Sequence, residues 1–151
     1  MCVKASGLAD YIVTKCTKED RPVSNLQLQK MLYFLQYVYV KQTDGKLLFT
    51  DQFEAWPYGP VMRDVYFRFS KYGGRPIEET SDAVIRMSPM LKSFIDAGIV
   101  SMRDRSAWDL VRLSHASGSP WDQIYRDGRG NGNVIPNELI VKAAVGSGQR
   151  V

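Results

Sequence analysis

Residues 24–42 read SNLQLQKMLYFLQYVYVKQ, and this stretch decides the fold. Ser24 and Gln27 have the spacing of a capping box, in which the serine accepts from a helical amide and the glutamine reaches back to the cap. Apolar residues then recur at helical spacing, and aromatic residues fill the other faces, as in a helix that is buried nearly all round. The pattern therefore predicts a central helix over 25–42, ended by Asp44-Gly45. The apolar stripe consists of Leu28, Met31, Leu32, Leu35 and Val38.

Shorter helices are predicted on both sides of this helix. Pro60 suits the first position of the helix that follows it, and Pro89 predicts a kink or break inside another helix. Weak alternation predicts short extended pieces at 47–49 and 53–56, paired as a small hairpin. The predicted helices span 6–17, 60–72, 81–97, 107–116 and 136–145, with a further start at Ser119-Pro120.

These elements predict a mainly α fold in one domain that spans residues 1–151. We expect a compact bundle of about six to eight helices around the helix at 25–42, with a core over about 6–145. A small β-hairpin or short extended segments are expected near 46–56 and 76–78. The last residues, 146–151, are expected to form a flexible tail.

Composition indicates a globular protein of the cytoplasm. The hydrophobic content is 44% and the charged content 24%, which is usual for globular domains. No apolar run approaches the roughly 20 residues of a membrane span, and the first residues lack the apolar region of a secretion signal. Cys2 and Cys16 give no disulfide framework, so both are expected to be free thiols in a reducing compartment.

The formal net charge is +4, which allows an acidic protein or nucleic acid as partner. The basic residues are densest over 63–75, where Asp64 lies four residues before Arg68 and favours a solvated helix face with paired charges. A helix-turn-helix would need a polar, exposed recognition helix, whereas the clearest helix here is apolar nearly all round. Nucleic-acid binding is therefore possible but not favoured.

Residues 54–61 read EAWPYGPV and form a stiff connector that carries two large aromatic rings. Each proline fixes φ and removes a donor, and Gly59 can take a conformation that larger residues avoid. One interpretation is a structural corner that fills the core, and the other is a recognition surface. Tyr58 distinguishes them, since a buried, hydrogen-bonded ring indicates a corner and an exposed ring indicates a contact.

The sequence offers no recognisable catalytic or metal-binding set. His115 is the single histidine, and no cysteines or histidines have metal-ligand spacing. Ser114 and His115 are adjacent and point in different directions on a helix, so they form no nucleophile–base pair. We expect a structural His115, its ring bonded to backbone near Pro120-Trp121. The glycine-rich segment 127–133 lacks the phosphate-binding fingerprints and is expected to be a mobile surface loop.

Three spaced motifs, and a fourth segment, resemble one family. SNLQLQKMLYF (24–34) is similar to its S/T-N-x-x-L-Q-K-L-L-Y-F helix, and EAWPYGPV (54–61) to its E-A-W-x-Y-G-P-V segment. LVRLSH (110–115), followed by Pro120-Trp121, is similar to its L-x-x-L-S/T-H … P-W signature, and IPNELI (135–140) to its closing helix. The family is the Panacea domain, which includes SocA-like and phage-associated GepA-like proteins. The resemblance covers about residues 6–145, although 86–102 does not match the family's fourth helix.

This resemblance implies a small, mostly helical protein of a bacterium or prophage, with no cofactor, no metal and no enzymatic activity. Many members are antitoxins paired with a neighbouring toxin, and SocA-like members are described as adaptors that deliver their toxin to the ClpXP protease. The motif residues expected to be structural are Leu28, Lys30, Tyr33, Phe34, His115, Pro120 and Trp121.

The leading hypothesis is an antitoxin that neutralises its toxin by direct binding. Delivery to a ClpXP-type protease is the alternative, and an autoregulatory DNA-binding protein or an enzyme with His115 as base are further alternatives. The stiff segment is expected to supply an aromatic hot spot flanked by arginines. The predicted partner-binding residues are Trp56, Tyr58, Gly59, Pro60, Val61, Arg63 and Arg68.

Overall fold

The computed structural model describes residues 2–148 and shows a mainly α protein with one small sheet, as predicted. Within that range no helix combines the length and apolar character needed to cross a membrane. The helices are α1 (Ala5–Lys18), α2 (Asn25–Gln42), α3 (Arg63–Arg68), α4 (Pro89–Arg103), α5 (Ala107–Ser114), α6 (Pro120–Tyr125) and α7 (Asn137–Gly148). The strands are β1 (Phe53–Trp56), β2 (Gly59–Val61) and β3 (Val134–Ile135), and single 3-10 turns cover Ser70–Tyr72 and Arg126–Gly128.

Helix α2 is central, as its sequence predicts. It contacts α1, α3, α4, α5, α7 and β2, so it is covered on nearly every side. The capping box is present: the Ser24 hydroxyl accepts from the Gln27 amide at 3.2 Å, and the Ser24 amide donates to Gln27 Oε1 at 2.9 Å. Val38 departs from the predicted apolar stripe, because it lies at the surface with 38% of its area exposed.

Buried polar side chains of α2 hold the connectors around it through main-chain atoms. Gln36 donates to the Phe49 carbonyl at 2.7 Å and accepts from the Leu48 amide at 2.8 Å. Gln29 accepts from the Met62 amide at 2.8 Å, and Asn25 donates to the Tyr66 carbonyl at 2.9 Å. Each buried amide group therefore has a partner, which offsets the cost of taking it out of water.

The sheet is antiparallel, in the order β2-β1-β3. Trp56 pairs with Gly59, and Phe53 pairs with Ile135. The predicted hairpin of 47–49 with 53–56 is wrong, because 53–56 pairs with 59–61 around the turn at 57–58. Main-chain groups of Leu48 and Phe49 bond to Gln36 instead of a strand.

Pro60 lies in β2 and does not begin a helix, so its predicted position is wrong. β2 is an edge strand, where a residue without an N–H is tolerated. Helix α3 begins only at Arg63, and the 3-10 turn after it ends at Gly73, which has a φ of +57°. The predicted single helix over 60–72 is therefore a strand, a short helix and a 3-10 turn.

The predicted helix over 81–97 is also wrong, because α4 begins at Pro89 and runs to Arg103. The first amides of a helix have no partner within the helix, so proline, which has no amide hydrogen, is tolerated at the first helical position. Pro89 therefore begins a helix here and does not break one. The Ser88 hydroxyl caps α4 by accepting from the Leu91 amide at 3.1 Å. Residues 76–77 form no strand, and Pro76 makes a single bridge to Ser24.

For the last third of the chain, the predicted helix boundaries agree better with the structure. Ser106 and Ser119 cap α5 and α6 as predicted, although α5 ends two residues early, at Ser114. Helix α7 begins just after Pro136 and includes residues 146–148 of the predicted tail, while 149–151 lie outside the described residues.

The glycine-rich segment 127–133 is exposed except at Gly130, as expected of a surface loop, and its end is tied to β1. The Gly132 amide donates to the Ala55 carbonyl at 2.7 Å, and the Ala55 amide donates to the Asn133 carbonyl at 2.8 Å. At Gly130 a Cβ would lie 1.7 Å from the Ile124 carbonyl oxygen, so only glycine fits there.

Candidate protein-binding site

The first and second sequence motifs meet at Lys30, on the inner side of the β1–β2 hairpin. The Lys30 side chain is fully buried, and its Nζ donates to the Pro60 carbonyl at 2.8 Å. Between them, Gly59 has a φ of +110°. A Cβ at Gly59 would lie 2.7 Å from Lys30 Cε and 2.6 Å from the Ser114 hydroxyl. The hairpin can therefore approach α2 and α5 this closely only with glycine at position 59.

Burial lowers the pKa of Lys30 to about 7. Within residues 2–148 no carboxylate lies at ion-pair distance from its Nζ, so nothing balances the charged form. The amine therefore exchanges between its charged and neutral forms near neutral pH, and either form can donate to Pro60.

Residues of the third motif, His115 and Trp121, pack against the β1–β2 hairpin. The Trp121 indole donates to the Trp56 carbonyl at 2.7 Å. His115 stacks flat on Trp121, with ring centroids 3.8 Å apart and planes 2° apart. Burial, and then the charge of Lys30, lower the pKa of His115. Lys30, Gly59, Pro60, Ser114 and Trp121 thus form one buried unit, which we call the hairpin corner.

The backbone bond that the sequence predicted for His115 is not seen at its Nε2. That nitrogen is buried and has no hydrogen-bond partner among the described residues. The Ser114 hydroxyl donates to the Val111 carbonyl at 2.8 Å and does not engage the imidazole. Stacking on Trp121 therefore accounts for the position of the ring.

The outer side of the hairpin carries two exposed aromatic rings. Tyr58 is 55% exposed and Trp108 is 54% exposed. Their ring centroids lie 5.3 Å apart at 84°, the edge-to-face geometry favoured by aromatic quadrupoles. Tyr58 therefore has the exposed ring that indicates a contact surface. We call these two residues the exposed pair.

The structure divides the five predicted partner-binding residues of the hairpin into three groups. Gly59 and Pro60 are buried in the hairpin corner and Val61 is buried next to them, whereas Trp56 is half-buried, with its indole nitrogen 3.0 Å from Glu54 Oε1. Tyr58 points outward. Sequence reasoning missed Trp108, since a single tryptophan in the first turn of α5 belongs to no apolar stripe.

The two predicted arginines lie in different surroundings. Arg63 is exposed beside the hairpin, with its Nε 3.8 Å from Glu54 Oε2. Arg68 lies 3.0 Å from Glu79 and 3.8 Å from Asp10, with its guanidinium over the Phe69 ring. Arg63 therefore lies at the open end of the hairpin, away from the turn that carries Tyr58, and Arg68 has partners within the chain.

Glu79 is the centre of a small ionic network. A hydrogen bond from the Tyr72 hydroxyl, with further bonds from Arg68 and Lys71, lowers the pKa of Glu79 to about 2. The network joins α3 to the irregular segment that precedes α4. Arg68 thereby has a structural partner within the chain.

The described residues contain no group of three or more histidine, cysteine or acidic side chains placed to hold a metal. Cys2 and Cys16 are both free thiols, as the sequence predicts. On the outer side of the hairpin, exposed aromatic rings stand on a buried support, and aromatic residues are enriched at the hot spots of protein interfaces.

Comparison with known proteins agrees with this geometry. A family model described as "Antitoxin SocA-like, Panacea domain" matches residues 28–122. A protein of Caulobacter vibrioides (strain NA1000 / CB15N) named "Antitoxin SocA" is 38% identical over 133 residues, covering 81% of this chain and 70% of that protein. The chain belongs to the SocA-like Panacea family. No solved structure matches it.

Membership of the Panacea family confirms the resemblance drawn from the motifs, and with it the antitoxin class. The matched residues run from Leu28, near the start of α2, to Asp122 in α6. They include the whole hairpin corner and both residues of the exposed pair. Helix α1 and helix α7 lie outside the match.

Proposed function

We propose that this protein is a cytoplasmic antitoxin, without catalytic activity, that neutralises a toxin protein by binding it at the exposed pair. One observation carries the proposal: Tyr58 and Trp108 are more than half exposed, yet both stand on backbone held by buried contacts. The antitoxin name of the relative from Caulobacter vibrioides supports the same class of function.

Exposed aromatic rings on a rigid base suit protein recognition. Tyrosine and tryptophan dominate binding energy at many interfaces, because they bury a large area and lose little side-chain entropy. Arg63 is exposed at the open end of the same hairpin and can bond an acidic group of the toxin. The net charge of +4 favours an acidic partner surface.

Co-expression with the toxin encoded beside this chain tests the proposal. We expect the wild-type protein to abolish toxicity, and the Tyr58→Ala, Trp108→Ala double variant to lose rescue while staying folded. Truncating a hot-spot residue typically costs about 2 kcal/mol or more, so we expect the Kd for the toxin to rise at least about 30-fold.

Phe67→Ala is the matched control, since Phe67 is 58% exposed on α3 and lies outside the exposed pair. Its Kd for the toxin should stay within about threefold of wild type. Full rescue by the double variant, or equal loss with Phe67→Ala, would contradict the proposal.

Delivery of the bound toxin to a ClpXP-type protease is a second candidate. The observation that favours it is the irregular segment before α4, where Val84 is 88% exposed and Met90, in the first turn of α4, is 84% exposed. An adaptor needs a second surface of this kind to contact the protease. Toxin half-life decides between the candidates: a shorter half-life in the presence of this protein, restored by Val84→Asp, supports delivery. An unchanged half-life with full rescue leaves neutralisation alone.

A further inference from the structure

Lys30 is a fully buried amine with a single hydrogen-bond partner. Among the described residues its Nζ bonds only to the Pro60 carbonyl. A charged ammonium has three N–H groups, so the charged form leaves two of them without an acceptor. A buried charge that lacks both a counter-ion and a full set of hydrogen bonds is unfavourable. The closed corner therefore favours the neutral amine, whereas water favours the charged form.

The groups packed around Lys30 do not compensate its charge. The residues that β2 brings to it, 59–61, are uncharged, and Glu54 of β1 is bonded to two other side chains. The charged residues of α3 are exposed to solvent. Tyr33, one turn further along α2, stays uncharged because burial raises its pKa. Burial thus acts alone on Lys30, and it lowers the pKa of this amine to about 7.

The end of α5 adds a second group that can become positive. His115 has a buried Nε2 without a partner among the described residues, and burial and then the charge of Lys30 lower its pKa. Asp122 of α6 acts on His115 in the opposite direction. The other charged residues of α5, Asp109 and Arg112, pair with each other. A charged His115 therefore adds repulsion to a charged Lys30.

Strand β2 is the part of the hairpin that is held from one side. It is a three-residue edge strand, whereas β1 is paired on both sides. Two side chains of α2 hold β2 and the residue after it: Lys30 donates to the Pro60 carbonyl, and Gln29 accepts from the Met62 amide, each at 2.8 Å. Movement of β2 away from α2 breaks both hydrogen bonds and lets water reach Lys30.

We propose that Lys30 and β2 form a proton-sensitive latch, in which uptake of a proton by Lys30 releases β2 from α2. Short edge segments can open locally at a lower free energy than the whole protein unfolds. Tyr58 lies in the turn that leads into β2, so the latch also determines how firmly this exposed ring is held.

The direction of the pH effect follows from proton linkage. Between the pKa of about 7 in the closed corner and the 10.5 of a lysine in water, the open state binds more protons than the closed state. The closed latch therefore becomes more stable as pH rises above 7, and this gain is lost as pH falls back towards 7.

Hydrogen exchange of two matched amides, measured on the free protein, tests the latch. The Met62 amide bonds to Gln29 and the Leu48 amide bonds to Gln36, both within the protein interior and both at 2.8 Å. After correction for intrinsic exchange rates, we expect the protection of Met62 to rise about tenfold from pH 7 to pH 8.5. The protection of Leu48 should change less than about twofold, because its opening does not hydrate Lys30.

Lys30→Met removes the titrating amine and should abolish the pH response of Met62, leaving a change of less than about twofold. Lys41→Met is the matched control, since Lys41 is exposed near the end of the same helix. This control should keep the tenfold response of wild type.

Two outcomes would overturn the latch. Equal pH responses of Met62 and Leu48 would show that Lys30 is hydrated only when the whole protein unfolds, and this comparison needs no variant. A response of Met62 that survives in Lys30→Met would assign the proton to another group. None of these measurements involves the toxin, so failure of the latch and failure of the proposed function are separate results.

Discussion

The two sides of one hairpin differ sharply in their surroundings. On the inner side, Gly59 and Pro60 are buried against Lys30, and a single added carbon at Gly59 would overlap its neighbours. On the outer side, Tyr58 touches Trp108 and leaves more than half of its ring in solvent. The corner interpretation of residues 54–61 therefore holds for Gly59 and Pro60, whereas Tyr58 has the exposure that the proposed contact requires. Stability and recognition should then respond to different substitutions.

Gly59→Ala should have the largest effect on stability. The new Cβ would lie 2.6 Å from the Ser114 hydroxyl and 2.7 Å from Lys30 Cε, at a φ of +110°. Backbone strain and overpacking together predict a loss of about 2–5 kcal/mol in the free energy of unfolding, measured by chemical denaturation.

Gly118→Ala is the matched control for this change. Gly118 has a φ of +77°, but a Cβ there would meet nothing within 4 Å. Only the backbone strain remains, so we expect a loss of about 1 kcal/mol. Equal losses at the two positions would show that the close packing of the hairpin corner contributes nothing.

Lys30→Met should change how stability depends on pH. Burial lowers the pKa of Lys30 to about 7 in the folded protein, below the 10.5 of a lysine in water. Between these values the unfolded chain binds more protons, so wild-type stability rises as pH rises and is lost as pH falls towards 7. From pH 7 to 9 we expect wild type to gain about 1–3 kcal/mol relative to Lys30→Met. Parallel curves of unfolding free energy against pH would disprove a buried, nearly neutral Lys30.

Tyr58→Ala should cost little stability, in contrast to Gly59→Ala one residue later. The ring loses an edge-to-face contact worth about 0.5–1.5 kcal/mol, part of which solvent replaces. A double-mutant cycle with Trp108→Ala, followed by thermal unfolding, measures that coupling. A loss as large as that of Gly59→Ala would place Tyr58 in the corner and remove the contact interpretation.

Arg68→Ala should cause the smallest loss in the free energy of unfolding. It also tests whether Arg68 is a structural residue or a contact residue. Its ion pair with Glu79 is partly exposed, and such pairs contribute about 0.2–1 kcal/mol. Because the pKa of Glu79 is lowered to about 2, this contribution is present above pH 4.5 and is lost as pH falls towards 2. Toxin affinity should stay unchanged for Arg68→Ala and fall several-fold for Arg63→Ala. The reverse order would make Arg68 the contact residue.

The sequence predicts those elements that local signals determine. Helix α2 has its cap, length and periodicity within one segment, and Ser106 and Ser119 cap their helices through their immediate neighbours. These signals need no information from distant parts of the chain. The family motifs then identify the family correctly.

The wrong predictions concern elements whose structure depends on residues far away in the sequence. Residues 53–56 pair with 59–61, while the main-chain groups of Leu48 and Phe49 bond to the distant Gln36 and not to a strand. Pro89 is compatible with both a kink and a helix start, and the segment before it is irregular and bonds to α1 through the Ser81 amide and the Thr14 hydroxyl. The burial of Lys30 and the exposure of Trp108 run against residue-type expectation, so periodicity cannot find either.

The hydrogen bonds from α2 to its connectors have a consequence for the evolution of this sequence. Four side chains of α2 bond to main-chain amides or carbonyls of the connectors, and every residue except proline has both groups. These side chains are those of Asn25, Gln29, Lys30 and Gln36. These hydrogen bonds do not depend on which side chains the connectors expose at the surface. Exposed aromatic and charged side chains can therefore be substituted one at a time without loss of the fold. A protein built in this way can acquire specificity for a new toxin during evolution.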